Sequence, residues 1–267
     1  MKDVSECLKA IRYKERPNAQ YYIEQIFPNF LEMCGDRLYG DDPSIVGGIG
    51  TFQKYPVTVI GQLKGRNLEE NIKYNFSMSK PEGFRKALRL MKQAEKFNRP
   101  VICFVDTVGA YPGVEAEERG QSFAIANILM EMMYLGVPII SILIGDGGSG
   151  GALALCVSNE IAALENAVLS VISPKACSNI LWKDSSREIE AANLLKMTAD
   201  DLKNFNVIDK IILEPDPEAG VNYNPSMMVE QIQLYLKISL TKYTHKSKKS
   251  LVNMRRKKFS NIGLNMN

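Results

Sequence analysis

The sequence predicts an α/β domain built on a parallel sheet, and three observations predict it. Short β-branched runs such as Pro100–Asp106 and Val137–Ile144 show no alternation of polarity, as strands covered on both faces do. Helical segments separate these runs through short links, which calls for crossovers that pack helices on the sheet. Glycine-rich turns follow two of the strands, at the edge where parallel sheets bind ligands. The 267 residues, 45% hydrophobic and 24% charged, have an ordinary globular composition. No Pro/Gly/Ser linker is long enough to divide the chain. Residues 1–240 are therefore expected to form a single domain with a helical C-terminal part, and 241–267 a basic tail.

The elements follow in chain order. Residues 19–34 read as a helix that Pro28 should kink or break. Ile45–Phe52 and Val57–Leu63 read as strands of a hairpin, with its turn at Lys54–Pro56. Gly83–Phe97 is an amphipathic helix: Phe84, Leu88, Met91 and Ala94 recur at helical spacing with Lys and Arg between them. Buried strands at Pro100–Asp106 and Val137–Ile144 bracket a helix at Gln121–Leu135. Gly151–Val157 opens another helix, and Ala167–Ile172 returns as a strand. Helices are then expected at Ala176–Trp182, at Ile189–Met197 and, after a Thr198 cap, at Ala199–Phe205. A short strand at Lys210–Glu214 and a long helix at Met227–Leu240 complete the reading.

Composition excludes several kinds of chemistry. His245 is the one histidine, so a multi-histidine metal site is out, and five scattered cysteines with no C-x-x-C pair argue against structural zinc. An odd count of scattered cysteines suits a reducing cytoplasm, and Cys103 and Cys156 read as small core residues. No window holds the roughly 18 apolar residues of a membrane span, and the first residues lack the apolar core of a signal peptide. The net charge of +3 hides an asymmetry. After Glu230 there are nine Lys/Arg and no acid, leaving 24 bases against 30 acids in the rest. Such a tail reads either as a solvated, partly disordered end or as a dock for an anionic partner. With only Tyr243 and Phe259 among its bases, a single-strand stacking platform is disfavoured.

The chemistry concentrates in Gly145-Asp146-Gly147-Gly148-Ser149-Gly150-Gly151, which follows a buried strand and opens a helix. One reading is a tight turn that needs positive φ. A second is the dinucleotide fingerprint, met by Gly145, Gly147 and Gly150, but at least two strand-helix units precede it and the acid, Glu165, comes before the next strand. A third is the nucleophile elbow Gly147-x-Ser149-x-Gly151, whose base would have to be His245 on the tail. The favoured reading uses backbone alone. Glycines at a helix start let a substrate oxygen approach main-chain N–H donors, which is an oxyanion hole. Such an enzyme needs almost no histidine. The second turn, Asp106-Thr107-Val108-Gly109-Ala110-Tyr111-Pro112-Gly113, would set further donors at the same sheet edge.

The ordered motifs Gly35-Asp36-Arg37, Ile45-Val46-Gly47-Gly48-Ile49, Lys64-Gly65-Arg66, Pro81 to Met91, Gly109 to Gly113, Ala116 to Ser122, Gly147 to Ala154 and Ser170 to Pro174 carry a resemblance over nearly the whole chain, from about Arg16. The chain resembles the alpha subunit of the bacterial acetyl-CoA carboxylase carboxyltransferase. The resemblance implies a crotonase-like spiral of ββα units. It implies carboxyl transfer from carboxybiotin, on a biotin carboxyl carrier protein, to acetyl-CoA, giving malonyl-CoA for fatty acid synthesis. Both are substrates, and no tightly bound cofactor or metal is expected in this chain. The implied partner is a beta subunit of similar fold, usually with a four-cysteine zinc ribbon, in an α2β2 heterotetramer with sites at the α/β contact. The oxyanion hole carries over to Gly150 and Gly151, assigned in this subunit to the biotin ureido oxygen. The freed biotin nitrogen then takes the acetyl α-proton, so no protein base is needed.

Three features depart from the family's pattern. Val108 stands where proline is common, Leu63 where glutamine is common, and the chain starts close to the domain without the longer N-terminal extension of many relatives. Gly109, Ala110, Tyr111, Gly147, Gly148, Lys64 and Arg66 are the expected substrate-binding residues, Lys64 and Arg66 as cations for CoA phosphates or carboxylates. Arg85 and Lys86, on the amphipathic helix, are expected to face solvent. Trp182, Met130, Met132 and Met133 read as core or interface. Two rivals remain. One is a self-sufficient acyl-CoA hydratase, isomerase or hydrolase using Glu117 or Glu118. The other is a nucleic-acid module using the tail, with affinity that falls steeply with salt.

Overall fold

The computed structural model describes residues 2–214 and 224–264. Its first elements are helices α1 (Val4–Ile11) and α2 (Ala19–Ile26). The Asn18 side chain caps α2, and the helix ends just before Pro28, where the ring forbids its continuation. The chain after that break pairs as strand β1 (Leu31–Glu32) instead of continuing as helix. Strands β2 (Ile45–Phe52) and β3 (Tyr55–Gln62) form the expected antiparallel hairpin.

From β3 a unit repeats: a strand in the main sheet, a two-residue strand standing off it, then a helix. The first repeat is β3, helix α3 (Leu68–Lys73), β4 (Met78–Ser79) and α4 (Pro81–Lys96). The second is β5 (Val101–Thr107), β6 (Gly109–Ala110), α5 (Val114–Glu118) and α6 (Gln121–Tyr134). The stand-off strands β4 and β6 pair with each other in parallel. Next come β7 (Ile139–Gly148), α7 (Ser149–Leu153), β8 (Glu160–Leu164) and β9 (Val168–Ser170). Helices α8 (Pro174–Trp182), α9 (Glu188–Leu195) and α10 (Ala199–Asn204) lead to β10 (Lys210–Ile212), followed by α11 (Pro225–Tyr243) and α12 (Lys248–Asn261). The main sheet runs β1-β2-β3-β5-β7-β8-β10, parallel from β3 onward, with β9 paired to the end of β7.

The apolar runs are where burial demands them. Every residue of β5 is buried, as is Ile139–Gly145 in β7. Phe84, Ala87, Leu88, Met91 and Ala94 of α4 face the sheet, and Tyr22 stacks on Phe104 with ring centroids 6.0 Å apart. Thr198 opens α10 with a reciprocal capping box to Asp201. Trp182 is only half-buried, under the Arg187 guanidinium 3.9 Å from its ring. Of the methionines, Met132 is core and Met130 is exposed.

Two expectations change. The segment after 240 is helical and docked: the boundary drawn there falls inside α11, and α12 buries Leu251 and Arg255. Arg255 donates to the carbonyls of Val137 (3.1 Å) and Leu135 and to Asn159 Oδ1 (2.6 Å), while Lys258 pairs with Asp209 and Lys242 with Glu160. Three of the nine tail cations therefore hold structure. Arg85 and Lys86 also turn inward. Lys86 is 1% exposed and bonds Asp41 at 2.6 Å and the Asp42 carbonyl at 2.9 Å, and Arg85 bonds Asp36 at 2.7 Å. The reason is the acidic loop of residues 35–42, which covers that face of α4. Among the described residues no helix is long and apolar enough to cross a membrane.

Candidate active site

Strands β5 and β7 lie side by side and in parallel, so the two glycine turns that follow their buried cores emerge at one sheet edge. The β7 ladder runs further than its apolar core predicts. Asp146, Gly147 and Gly148 still pair, with Val168, Leu169 and Ser170 of β9, and Gly147 also faces Thr107 of β5. Gly145 and Gly147 thus lie inside a strand, not in a phosphate-wrapping loop, which removes the dinucleotide reading. Ser149 opens α7 with a left-handed φ of 49°, and the Gly148 cap offers no side-chain acceptor to the first N–H groups of that helix.

The turns touch through backbone. A Cβ on Gly148 would fall inside the Val108–Gly109 peptide, and one on Gly151 would come within 2.7 Å of the Gly109 carbonyl carbon and 2.8 Å of the Ala110 nitrogen. Gly150 differs: a Cβ there would meet only Ile125 Cγ2, at an ordinary 3.6 Å. Packing therefore explains glycine at 148 and 151 but not at 150, where a Cβ would fit in ordinary contact with Ile125.

Each turn is anchored from beneath. The chain reaches β4 through three consecutive left-handed residues, Asn75, Phe76 and Ser77. Asn75 Nδ2 bonds Asp42 at 3.0 Å, and the Ser77 carbonyl accepts from Thr107. Tyr111 N–H donates to the Ser79 carbonyl at 3.0 Å, and Lys80 Nζ sits 4.8 Å from the centre of the Tyr111 ring. Gln121 bonds the carbonyls of Ser79 and Tyr111, and Gln62 bonds that of Gly151. Gln121 closes the Ala116 to Ser122 motif and Gln62 lies in none, but for both only the assembled fold shows what the amide holds.

The sheet edge also carries charge. Lys64 forms an ion pair with Asp146 and donates to the Ile11 carbonyl at 3.3 Å. Asp106 is buried beside them, its Oδ1 accepting the Asp146 N–H at 2.9 Å. Burial works against the Lys64 charge, but Asp106 and Asp146 outweigh it and raise the Lys64 pKa above the ordinary lysine value. Burial holds the Asp106 carboxyl above the usual carboxylate range, against the pull of Lys64. Lys64 therefore braces the glycine strand, whereas Arg66 is exposed and holds Glu70 loosely at 3.7 Å.

The side-chain rivals do not assemble here. Glu117 and Glu118 are exposed on α5. His245 lies between α11 and α12, by the N-terminal ends of the strands, where the neighbouring Tyr243 hydroxyl donates to the Asn159 carbonyl at 3.4 Å. Ser149 is at the C-terminal end of β7, so the sheet separates it from that histidine.

Comparison with known proteins agrees with this geometry. The family described as acetyl co-enzyme A carboxylase carboxyltransferase-like matches residues 3–263. An acetyl-coenzyme A carboxylase carboxyl transferase subunit alpha from Clostridium botulinum (strain Eklund 17B / Type B) is 54% identical over 258 residues, covering 97% of this chain and 93% of its own. A Clostridium tetani protein named as carboxyl transferase subunits beta/alpha is 54% identical over 256 residues, 96% of this chain and 44% of its own length. Among solved structures, a Pseudomonas malonate decarboxylase hetero-tetramer in complex with coenzyme A has a TM-score of 0.69 at 14% identity, covering 88% of this chain and 90% of that one. A transcarboxylase 12S structure has a TM-score of 0.68 at 18% identity, covering 85% and 42%. Both likenesses are of fold, and they place the ββα repeat among crotonase-like spirals. With residues 3–263 matched and more than half of the aligned positions identical to a relative of similar length, the chain belongs to the acetyl co-enzyme A carboxylase carboxyltransferase-like family.

Proposed function

We propose that this chain is the alpha-type subunit of a carboxyltransferase that moves a carboxyl group from carboxybiotin on a carrier protein to acetyl-CoA, giving malonyl-CoA. The observation that carries the reading is the meeting of two glycine turns at one sheet edge, with the helix start at Gly150–Gly151 including a glycine, Gly150, that packing does not require. Carboxybiotin releases CO₂ by breaking its N–C bond, and the electron pair moves onto the ureido group. Main-chain N–H groups of Gly150 and Gly151 are the donors for that oxygen. Held on a buried strand, they need no reorganisation as charge develops. The biotin nitrogen takes the α-proton of acetyl-CoA, and the resulting enolate attacks CO₂. No residue of this chain has to act as acid or base.

The turn Gly109-Ala110-Tyr111 and the strand end Gly147–Gly148 form the walls, and with Lys64 engaged by Asp146 the exposed Arg66 is the cation of that pair left to meet a CoA phosphate. A beta-type subunit supplies the rest of the site. The Clostridium tetani relative, named for both subunits, carries a region like this chain within a longer protein, and the malonate decarboxylase neighbour is a hetero-tetramer. An α2β2 assembly fits this pattern. The test is reconstitution. The purified chain is expected to make little malonyl-CoA until a beta subunit, biotinylated carrier protein and acetyl-CoA are present together. Full turnover by the chain alone would overturn the subunit reading.

A further inference from the structure

Each glycine turn rests on the amide of a buried glutamine that the reaction above does not use. Gln62, the last residue of β3, is fully buried, and its Nε2 donates to the Gly151 carbonyl at 2.9 Å. Gln121, the first residue of α6, is 2% exposed, and its Nε2 donates to the carbonyls of Ser79 at 2.8 Å and Tyr111 at 3.0 Å. In both side chains Oε1 is buried with no hydrogen-bond partner among the described residues. A buried unpaired acceptor destabilises a fold, so methionine or leucine of similar volume would serve packing better. All three bonded partners are main-chain carbonyls, so only the NH₂ end of each amide fits; a reversed amide would set oxygen against oxygen.

We infer that Gln62 and Gln121 are positioning residues for carboxyl transfer, one clamping each glycine turn so that the N–H donors of Gly150 and Gly151 keep their aim. The inference rests on the carboxyltransferase reading. Helix α7 has only five residues and too few internal bonds to hold its own shape. Gln62 fixes the peptide after Gly151 to the central sheet. Gln121 ties β4 to the backbone just after β6, the turn against which Gly151 packs.

The test uses the assembled alpha-beta complex. Gln62→Met keeps volume and removes the donor. Its kcat is expected to fall about tenfold, short of the roughly 10²–10³ lost with an oxyanion donor itself, while KM for acetyl-CoA stays within about twofold. Gln62→Glu supplies a carboxyl that donates its O–H to the Gly151 carbonyl when neutral and repels it when ionised. Burial raises that pKa, so activity should recover toward acid and fall as pH rises, a limb absent from the wild type. In the chain alone, amide hydrogen exchange across 149–152 should quicken in Gln62→Met, and across 109–111 in Gln121→Met. Unchanged exchange, a kcat within twofold of wild type, a Gln62→Glu variant without the acid recovery, or a Gln62→Met chain that no longer folds would each overturn the assignment. A wild-type complex that makes no malonyl-CoA would sink the carboxyltransferase reading separately, because the exchange measurement needs no turnover.

Discussion

Two adjacent glycines, Gly150 and Gly151, do different jobs, and a single methyl group tells them apart. At Gly151 an added Cβ would press on the Gly109–Ala110 backbone at 2.7–2.8 Å, and backbone on both sides cannot yield. Gly151→Ala is therefore expected to cost about 1–3 kcal/mol of stability, read as a lower denaturant midpoint, from overpacking alone. At Gly150 the same methyl fits, with Ile125 at 3.6 Å, so Gly150→Ala should leave the unfolding midpoint nearly unchanged. If a substrate oxygen must approach that amide, turnover should still fall by about tenfold or more. A Gly150→Ala complex with normal turnover would show that no substrate atom approaches that amide closely. The glycine run was legible in the sequence because its excess over what a turn needs asked for a second cause. What was not legible is which glycine serves which cause, since that depends on Val108–Ala110 arriving from another strand.

The element that departs most from its sequence pattern is α4. Helical periodicity put its apolar stripe on the sheet correctly, yet Arg85 and Lys86, off that stripe, are held by Asp36 and Asp41 from a loop. No periodicity shows a loop that folds over a helix. The Gly35-Asp36-Arg37 motif was visible, but its partners were not. Burial alone would raise the Asp36 carboxyl. N–H donors from Leu38, Tyr39 and Gly40 together with the Arg85 guanidinium outweigh burial and hold it down at about 2. A carboxylate whose folded pKa is depressed contributes stability above its unfolded pKa of 3.8 and loses it as pH falls toward 2. Asp36→Asn should therefore cost about 2 kcal/mol at pH 7 and flatten the acid limb of the stability curve between about pH 4 and 2. An acid limb unchanged by the substitution would mean that another carboxylate sets it. The same blindness hid β8, whose Glu160 looks polar in sequence but is buried against Ser239 and Lys242 of α11.

At the scale of the molecule, the sheet has a reactive edge and a structural edge. The glycine turns sit at the C-terminal ends of β5 and β7. Helix α12 is fastened at the other end, where Arg255 binds carbonyls of the Leu135–Val137 turn and Asn159. Asn159 in turn accepts the Ile139 N–H at 3.1 Å and donates to the Leu251 carbonyl at 2.9 Å. The ten residues of β7 separate the two edges by about 30 Å at the usual strand rise. A run of nine cations with no acids looked like a tail because charge density masks the one arginine that is wholly buried. Burial outweighs the pull of Glu95 and lowers the Arg255 pKa to about 10, and carbonyl and amide oxygens, not an ion-paired carboxylate, accept its hydrogen bonds. Removing that head group while keeping the stem takes this donor from the Leu135 and Val137 carbonyls, while Asn159 Oδ1 keeps the Ile139 N–H. Arg255→Met is thus expected to lower the unfolding free energy by about 3 kcal/mol or more, read by chemical denaturation. Because the loss falls at the structural edge, the KM for acetyl-CoA of the folded complex should not move. Truncation after Lys246, which also exposes the surface under Leu251, should destabilise similarly with the same unchanged KM. A shift in KM without a change in stability would mean that the basic end takes part in substrate binding, and the division of the sheet into two edges would then be wrong.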